Sequence, residues 1–215
     1  MARRLQPLEA VEAYMTAKEW VIQRGFHAEI DWQAEVSAAL VSESTFLQEA
    51  AWVVLSSGFR EAVLRSKFPR VTEAFRCWRS AAEITANRSD CCCQALKVFN
   101  HKRKIEAILE IANRVYLEGF RRIKERLLTE PLDFIRSLPY LGPVTTYHLA
   151  KNLGLPVAKP DRHLVRIATA CGYESVQDLC ETVGRIVGDR IPVVDLVFWR
   201  YATLNPEYEA NFRLR

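Results

Sequence analysis

A chain of 215 residues with 49% apolar and 26% charged residues, 8 Gly and 9 Pro has a globular composition, which excludes a collagen-like, low-complexity or largely disordered chain. At that length folding buries roughly 70% of the unfolded surface, so a core needs neither disulfides nor a structural metal. Thirty basic and 26 acidic residues leave a formal charge of +4, too small an excess to specify a partner by itself.

The periodicity is helical almost throughout, with about ten helices by the three- and four-residue spacing of apolar positions. No period-two strand series or β-hairpin signal interrupts it. Residues 8–23 carry Val11, Met15, Trp20 and Val21 between polar positions. A second helix is predicted from Thr45, with Gln48 completing a capping box. Its stripe of Phe46, Ala50, Val53 and Val54 runs toward Gly58 and absorbs the short apolar run Trp52-Val53-Val54-Leu55. Ile105, Ile108, Leu109, Ala112, Val115 and Tyr116 form a further stripe. It should face a core and turn the Lys102-Arg103-Lys104 cluster outward or to its edge.

Thr129 is expected to cap a short helix carrying Leu132, Phe134 and Ile135, with Pro131 tolerated in its first turn. That helix must end near Leu138-Pro139. Gly142-Pro143 opens the next, because a proline at the first helical position loses no internal hydrogen bond. Asp161 opens the pattern Leu164, Val165, Ala168, Cys171. Ser175 and Asp178 cap a helix carrying Leu179, Val183, Ile186 and Val187, and Pro192 starts the last one through Val193, Leu196, Val197 and Tyr201. A break into lobes is expected within residues 25–45 or 125–130.

No run approaches the ~18 apolar residues of a membrane-spanning helix. The basic start Met1-Ala2-Arg3-Arg4 leads to Glu9 and Glu12 rather than to an apolar stretch, so no signal peptide is expected. Cys91, Cys92 and Cys93 are adjacent, while Cys77, Cys171 and Cys180 are scattered. This spacing fits no zinc or iron–sulfur framework and points to reduced thiols in an intracellular protein. Residues 97–126 hold nine Lys or Arg against four Glu, either a solvated helical face or a surface that meets phosphate.

The most informative stretch is Leu138-Pro139-Tyr140-Leu141-Gly142-Pro143-Val144-Thr145-Thr146, a very short turn between two predicted helices. Gly142 permits an unusual backbone conformation or a close approach. The first amides of the following helix have no internal acceptor and can point at an anion, while Leu138 and Leu141 anchor the turn underneath. Such a hairpin can hold a DNA phosphate without reading a base; an αα-hairpin with no ligand is the alternative. Further on, Lys159-Pro160-Asp161-Arg162-His163-Leu164-Val165-Arg166 sets a carboxylate at a helix start. Asp161 caps that helix, worth about 1 kcal/mol, or holds an ionised oxygen pair beside a reaction centre, or does both.

With these residues the sequence resembles the helix-hairpin-helix DNA glycosylase superfamily. The family signature is a Leu-Pro-Gly-Val-Gly hairpin, a loop rich in Gly and Pro, and a catalytic Asp at the start of a helix. Leu138-Pro139-Tyr140-Leu141-Gly142 matches the hairpin and Asp161 matches the aspartate. The resemblance is firm over residues 131–171, looser over 44–128, and one of helical pattern alone over 174–203. It implies an all-α fold of two lobes with a cleft between them, forming one glycosylase unit over 1–215. The central lobe would cover 45–128, with the hairpin extending it to 171; the terminal lobe would combine 1–44 and 172–215.

The activity implied is release of a damaged base, an oxidised or alkylated purine, from double-stranded DNA by a monomer working in the nucleoid or the nucleus. Asp161 would stabilise the sugar cation and orient water, with Lys159, Arg162, His163 and Arg166 as candidate electrostatic support. Pro139, Tyr140, Leu141, Gly142, Pro143 and Val144 would hold phosphate. Family members that also cut the strand carry a lysine where this chain has Val144, so a monofunctional hydrolase is expected, with Lys151 and Lys159 the nearest substitute amines. A noncatalytic DNA-binding protein with the same hairpin is the alternative, motivated by Tyr140 and Gly58.

Tyr140 replaces the first hairpin glycine, and Gly58 stands where the family inserts a Gln or Asn wedge, leaving Phe59 or Arg60 for that task. A helix end capped by Gly58 is the plainer account of that segment. Trp20, Trp52, Tyr147, His148, Asp195 and Trp199 are candidates for the base pocket, each with an alternative place in the core. Asp195, set in an apolar helix, needs a partner and would read a purine edge or brace the cleft. No iron–sulfur cluster and no other cofactor is expected, apart from a monovalent cation on the carbonyls of Leu138 and Leu141, as relatives imply.

Overall fold

The structure is a computed structural model and describes residues 7–212. Among them it contains thirteen α-helices joined by turns and short 3-10 segments, with no strand. In chain order these are α1 Pro7–Gln23, α2 His27–Glu35, α3 Glu43–Ser56, α4 Glu61–Ala74, α5 Ala81–Ala86, α6 Arg88–Val98 and α7 Lys102–Glu118. They continue as α8 Phe120–Thr129, α9 Pro131–Arg136, α10 Pro143–Asn152, α11 Arg162–Ala170, α12 Val176–Val187 and α13 Ile191–Leu204. The all-α expectation holds. A short helix such as α5, at six residues, carries too few turns to show a stripe, so the sequence pattern undercounts the helices. None of the helices is long and apolar enough to cross a membrane.

The chain divides into two compact units, Met1–Val36 with Gly154–Arg215, and Ser37–Leu153. The resemblance implies that residues 37–44 belong to a terminal lobe and 154–171 to a central one. The structure groups both segments the other way, for reasons visible in the first unit. Its core packs Leu164, Ile167 and Ala168 of α11 with Tyr14, Val21, Leu179, Val183, Val194, Val197 and Phe198. Helix α13 is the centre of that core. Apolar almost all round, it buries ten of its fourteen residues, as a helix surrounded by others must. The Arg190 guanidinium donates to the carbonyls of Ala34 at 3.0 Å, of Val36, and of Gly154 at 2.7 Å. One side chain thus ties the end of one chain segment to the start of the other.

The second unit is built on α3 and α7. Phe46 and Phe134 stack at 6.2 Å, and Val53, Val54, Leu64, Phe75, Ile84, Ile105 and Leu149 fill the interior. Ser42 caps α3, its hydroxyl accepting the Thr45 amide at 3.1 Å. Thr45 is therefore the third helical residue rather than the cap. Glu130 precedes α9, and Thr129 ends α8 instead of capping α9. Ser80 and Ser175 cap α5 and α12 by accepting the amides of Glu83 and Asp178 at 3.1 and 3.0 Å.

Candidate functional site

In the second unit the hairpin between α9 and α10 is a tight turn closed by the Leu141 amide on the Leu138 carbonyl at 3.3 Å. Leu138 and Leu141 are buried beneath it. That carbonyl keeps a second lone pair, so a monovalent cation on it is compatible with the turn. The expected unusual backbone lies two positions before the one that sequence alone suggested. Gly142 is extended, at φ −99° and ψ −173°, whereas Tyr140 takes the left-handed region at φ +67°. A Cβ at Gly142 would meet nothing nearer than Thr145 Oγ1 at 4.0 Å, so the free protein has no steric need for glycine there. What glycine leaves open is room for close approach from outside.

The first turn of α10 is organised by two hydroxyls. Thr145 Oγ1 accepts the Gly142 amide at 2.7 Å, and Thr146 Oγ1 donates to the Gly142 carbonyl at 2.9 Å. Pro143 has no N–H, and the amides of Val144 and Thr145 precede any helical acceptor. Val144 is exposed and aliphatic, which leaves no amine at this position. Tyr147 and His148 follow on α10, both half-buried.

A feature that the sequence did not reveal lies under this turn. Lys104, expected to face outward or lie at the edge of the apolar stripe, is 1% exposed. Its ammonium donates to the carbonyls of Val54 at 2.8 Å, Leu55 at 2.9 Å and Ser57, satisfying the last turn of α3 where no amide follows. Burial pushes this ammonium down to about 8, while the three carbonyls favour its charged form. The signal was present in the spacing: Lys104 stands four, seven and eleven residues before Ile108, Ile111 and Val115, on the buried face. Tyr116, counted in the stripe, is instead 53% exposed. Lys102 and Arg103 do face solvent.

Gly58, at φ +76°, ends the α3 turn. Phe59 packs against Phe99 at 4.8 Å and His101 at 6.2 Å, and Arg60 is exposed. Lys104 Nζ lies 4.8 Å from the Phe59 ring centre and 5.4 Å from that of Tyr140. His101 meets the Tyr140 ring edge-on at 6.2 Å. The candidate wedge turn and the tip of the hairpin therefore share one cationic support. Trp52 does not join them; it packs edge-on to Phe68 at 5.0 Å, beside Arg65.

In the first unit Asp161 caps α11. Its Oδ1 accepts the amides of His163 at 2.9 Å and Leu164 at 3.1 Å, and its Oδ2 lies 3.8 Å from Lys159 Nζ. The carboxylate is thus held at a defined angle, with one oxygen on the helix amides and the other beside a cation. Asp195 is 1% exposed, and its Oδ2 accepts the Lys159 amide at 2.6 Å. It braces the loop that presents Asp161. Arg162 Nε lies 3.3 Å from His163 Nε2, His163 Nδ1 lies 3.2 Å from the Tyr208 hydroxyl, and Arg166 reaches Glu209 at 3.5 Å. Burial lowers the His163 imidazole, opposed by the Asp161 charge.

Trp199 packs half-buried against the core of this unit, 4.7 Å from the Arg200 guanidinium. Trp20 packs edge-on to Tyr201 at 5.1 Å. Both rings have core partners within the unit. Among the described residues no group of three or more His, Cys, Asp or Glu could hold a metal ion. No protein-family model matches the chain, and no curated protein matches it at a significant level.

Proposed function

We propose that this chain is a monofunctional DNA glycosylase that hydrolyses the N-glycosidic bond of a damaged base, an oxidised or alkylated purine, and leaves an abasic site. The observation that carries this is the Asp161 carboxylate, fixed on two helix-start amides with its second oxygen beside the Lys159 ammonium. A carboxylate so held can stabilise the positive charge that develops on a sugar as its base departs, and can orient a water for attack. The base must first be turned out of the stack. Water adds to the sugar carbon, and the departing base takes a proton.

The hairpin supports the same activity. The first amides of α10, seated on Leu138 and Leu141, suit a phosphate oxygen, and Gly142 leaves room for it. A valine at position 144 cannot form a Schiff base, which is why strand cleavage is not part of the reaction. The two-lobed architecture of the helix-hairpin-helix glycosylases, a monovalent cation on the carbonyls of Leu138 and Leu141, and work on cellular DNA belong to the same proposal.

The test is a panel of duplexes carrying oxidised or alkylated purines, assayed with and without alkali after incubation with the protein. Base release that yields strand breaks only after alkali is the expected result. Direct breakage with a borohydride-trapped adduct would overturn the monofunctional assignment. Binding without release from any duplex would indicate a noncatalytic DNA-binding protein.

A further inference from the structure

We infer that Phe59 and Tyr140 form a stacking platform for nucleobases already out of the helix, so that the second unit selects DNA at an unpaired nucleotide whatever the chemistry of the base. This rests on the reading that the hairpin holds a DNA strand. The two rings flank the single Nζ of Lys104, at 4.8 and 5.4 Å, with the His101 ring 6.2 Å from each. Covering a buried lysine needs apolar bulk, yet these rings leave 43% and 42% of their residues' surface to solvent. Core side chains do not do that.

Tyr140 also holds its ring out at a cost. A non-glycine residue at φ +67° is disfavoured by about 1–2 kcal/mol, and glycine would remove that strain. The ring's exposure is what the strain accompanies. Lys104 lies behind both rings, and a cation there adds to the attraction between each ring and a stacked base.

The surroundings specify the occupant. Residues 50–60, 97–105 and 136–153, which build the platform and its flanks, contain Arg60, Lys97, Lys102, Arg103, Lys104, Arg136 and Lys151, with Glu49, Glu61 and Glu106 adjoining them. Arg60, Lys102 and Arg103 are exposed. An aromatic surface flanked by the exposed cations Arg60, Lys102 and Arg103, of which Lys102 pairs with Glu106 at 3.7 Å, fits a polyanion that carries flat rings. Stacking on such rings tolerates any base, because every base has a π face.

The experiment uses the full chain and undamaged synthetic DNA: a fully paired labelled duplex, and the same duplex with one bulged nucleotide, with Kd measured by anisotropy at fixed salt. Binding to the bulged duplex about tenfold tighter is expected. The ratio should fall below about two in Phe59→Ala/Tyr140→Gly and persist in Tyr140→Phe. If the double variant does not fold, Tyr140→Gly alone, which relieves strain, should lower the ratio at least about threefold.

A wild-type ratio near one, or a ratio untouched by these substitutions, overturns the platform. Base release from the lesion panel alongside a ratio near one would sink this inference and leave the glycosylase. Selective binding without base release would do the reverse. No binding to either DNA would overturn both.

Discussion

Asp195 Oδ2 accepts the Lys159 amide at 2.6 Å, two residues before Asp161. A carboxylate buried in α13 therefore fixes the loop end from which a second carboxylate is presented. Asp195→Ala would leave that amide unpaired and cost about 1–3 kcal/mol in stability. It should also reduce single-turnover base release at least about tenfold, since a displacement of the order of 1 Å at a reacting group is felt that strongly. Asp195→Asn keeps a carbonyl acceptor and should recover most of the rate. Equal loss in both variants would assign Asp195 another role.

Asp161→Asn separates charge from capping. Asn is as good an N-cap as Asp, so the melting temperature should stay within a few degrees of wild type. DNA affinity should change by no more than about threefold, while base release falls at least about a hundredfold, as expected when charge stabilisation at the sugar is lost. Parallel loss of binding and release would mean that the carboxylate serves the fold alone.

Gly142→Ala tests the approach of a phosphate to the hairpin. The backbone there is one that alanine adopts freely, and its Cβ would meet only Thr145 Oγ1 at 4.0 Å. Stability should hold or rise by about 0.5 kcal/mol through the unfolded chain. Affinity for a duplex should fall, with a shallower dependence of log Kd on log salt as one phosphate contact is lost. Unchanged affinity would remove position 142 from the interface.

Glu49 on α3 gives the second unit a pH dependence. Burial pushes its carboxyl up to about 7, opposed by the Asn152 hydrogen bond and the Lys151 charge. In the unfolded chain an ordinary glutamate titrates near 4.5, so between these values the folded state binds the proton and the unfolded state does not. Stability is therefore full below about pH 4.5, declines as pH rises toward 7, and is flat above it. Glu49→Gln should abolish that slope, gaining on the order of 2 kcal/mol at pH 8 and little at pH 4. Denaturant titrations at the two pH values measure it; a slope that survives the substitution would exclude Glu49 as its source.

Local chemistry was legible without the structure. Asp161 caps α11, Ser175 caps α12, and Gly142-Pro143 opens α10 because caps and proline act within a few residues of themselves. Stripes of apolar residues likewise announced α1, α3, α7 and α13. The errors in placing caps were also local in kind. Thr45 resembles a cap as much as Ser42 does, and only the observed hydrogen bond chooses between them.

What needed the tertiary structure was every feature whose partner is distant in sequence. Lys104 is buried because the carbonyls at the end of α3, about fifty residues earlier, require a donor. Residues 154–171 join the first unit because Leu164 and Ile167 pack with α13 and Arg190 binds the Gly154 carbonyl. Tyr140 and Phe59 are brought together across Lys104 and His101. Sequence patterning states which surfaces must be hidden and where a helix begins. Which distant groups satisfy a buried charge or an orphan carbonyl is decided by packing, and it is there that the candidate site acquires its shape.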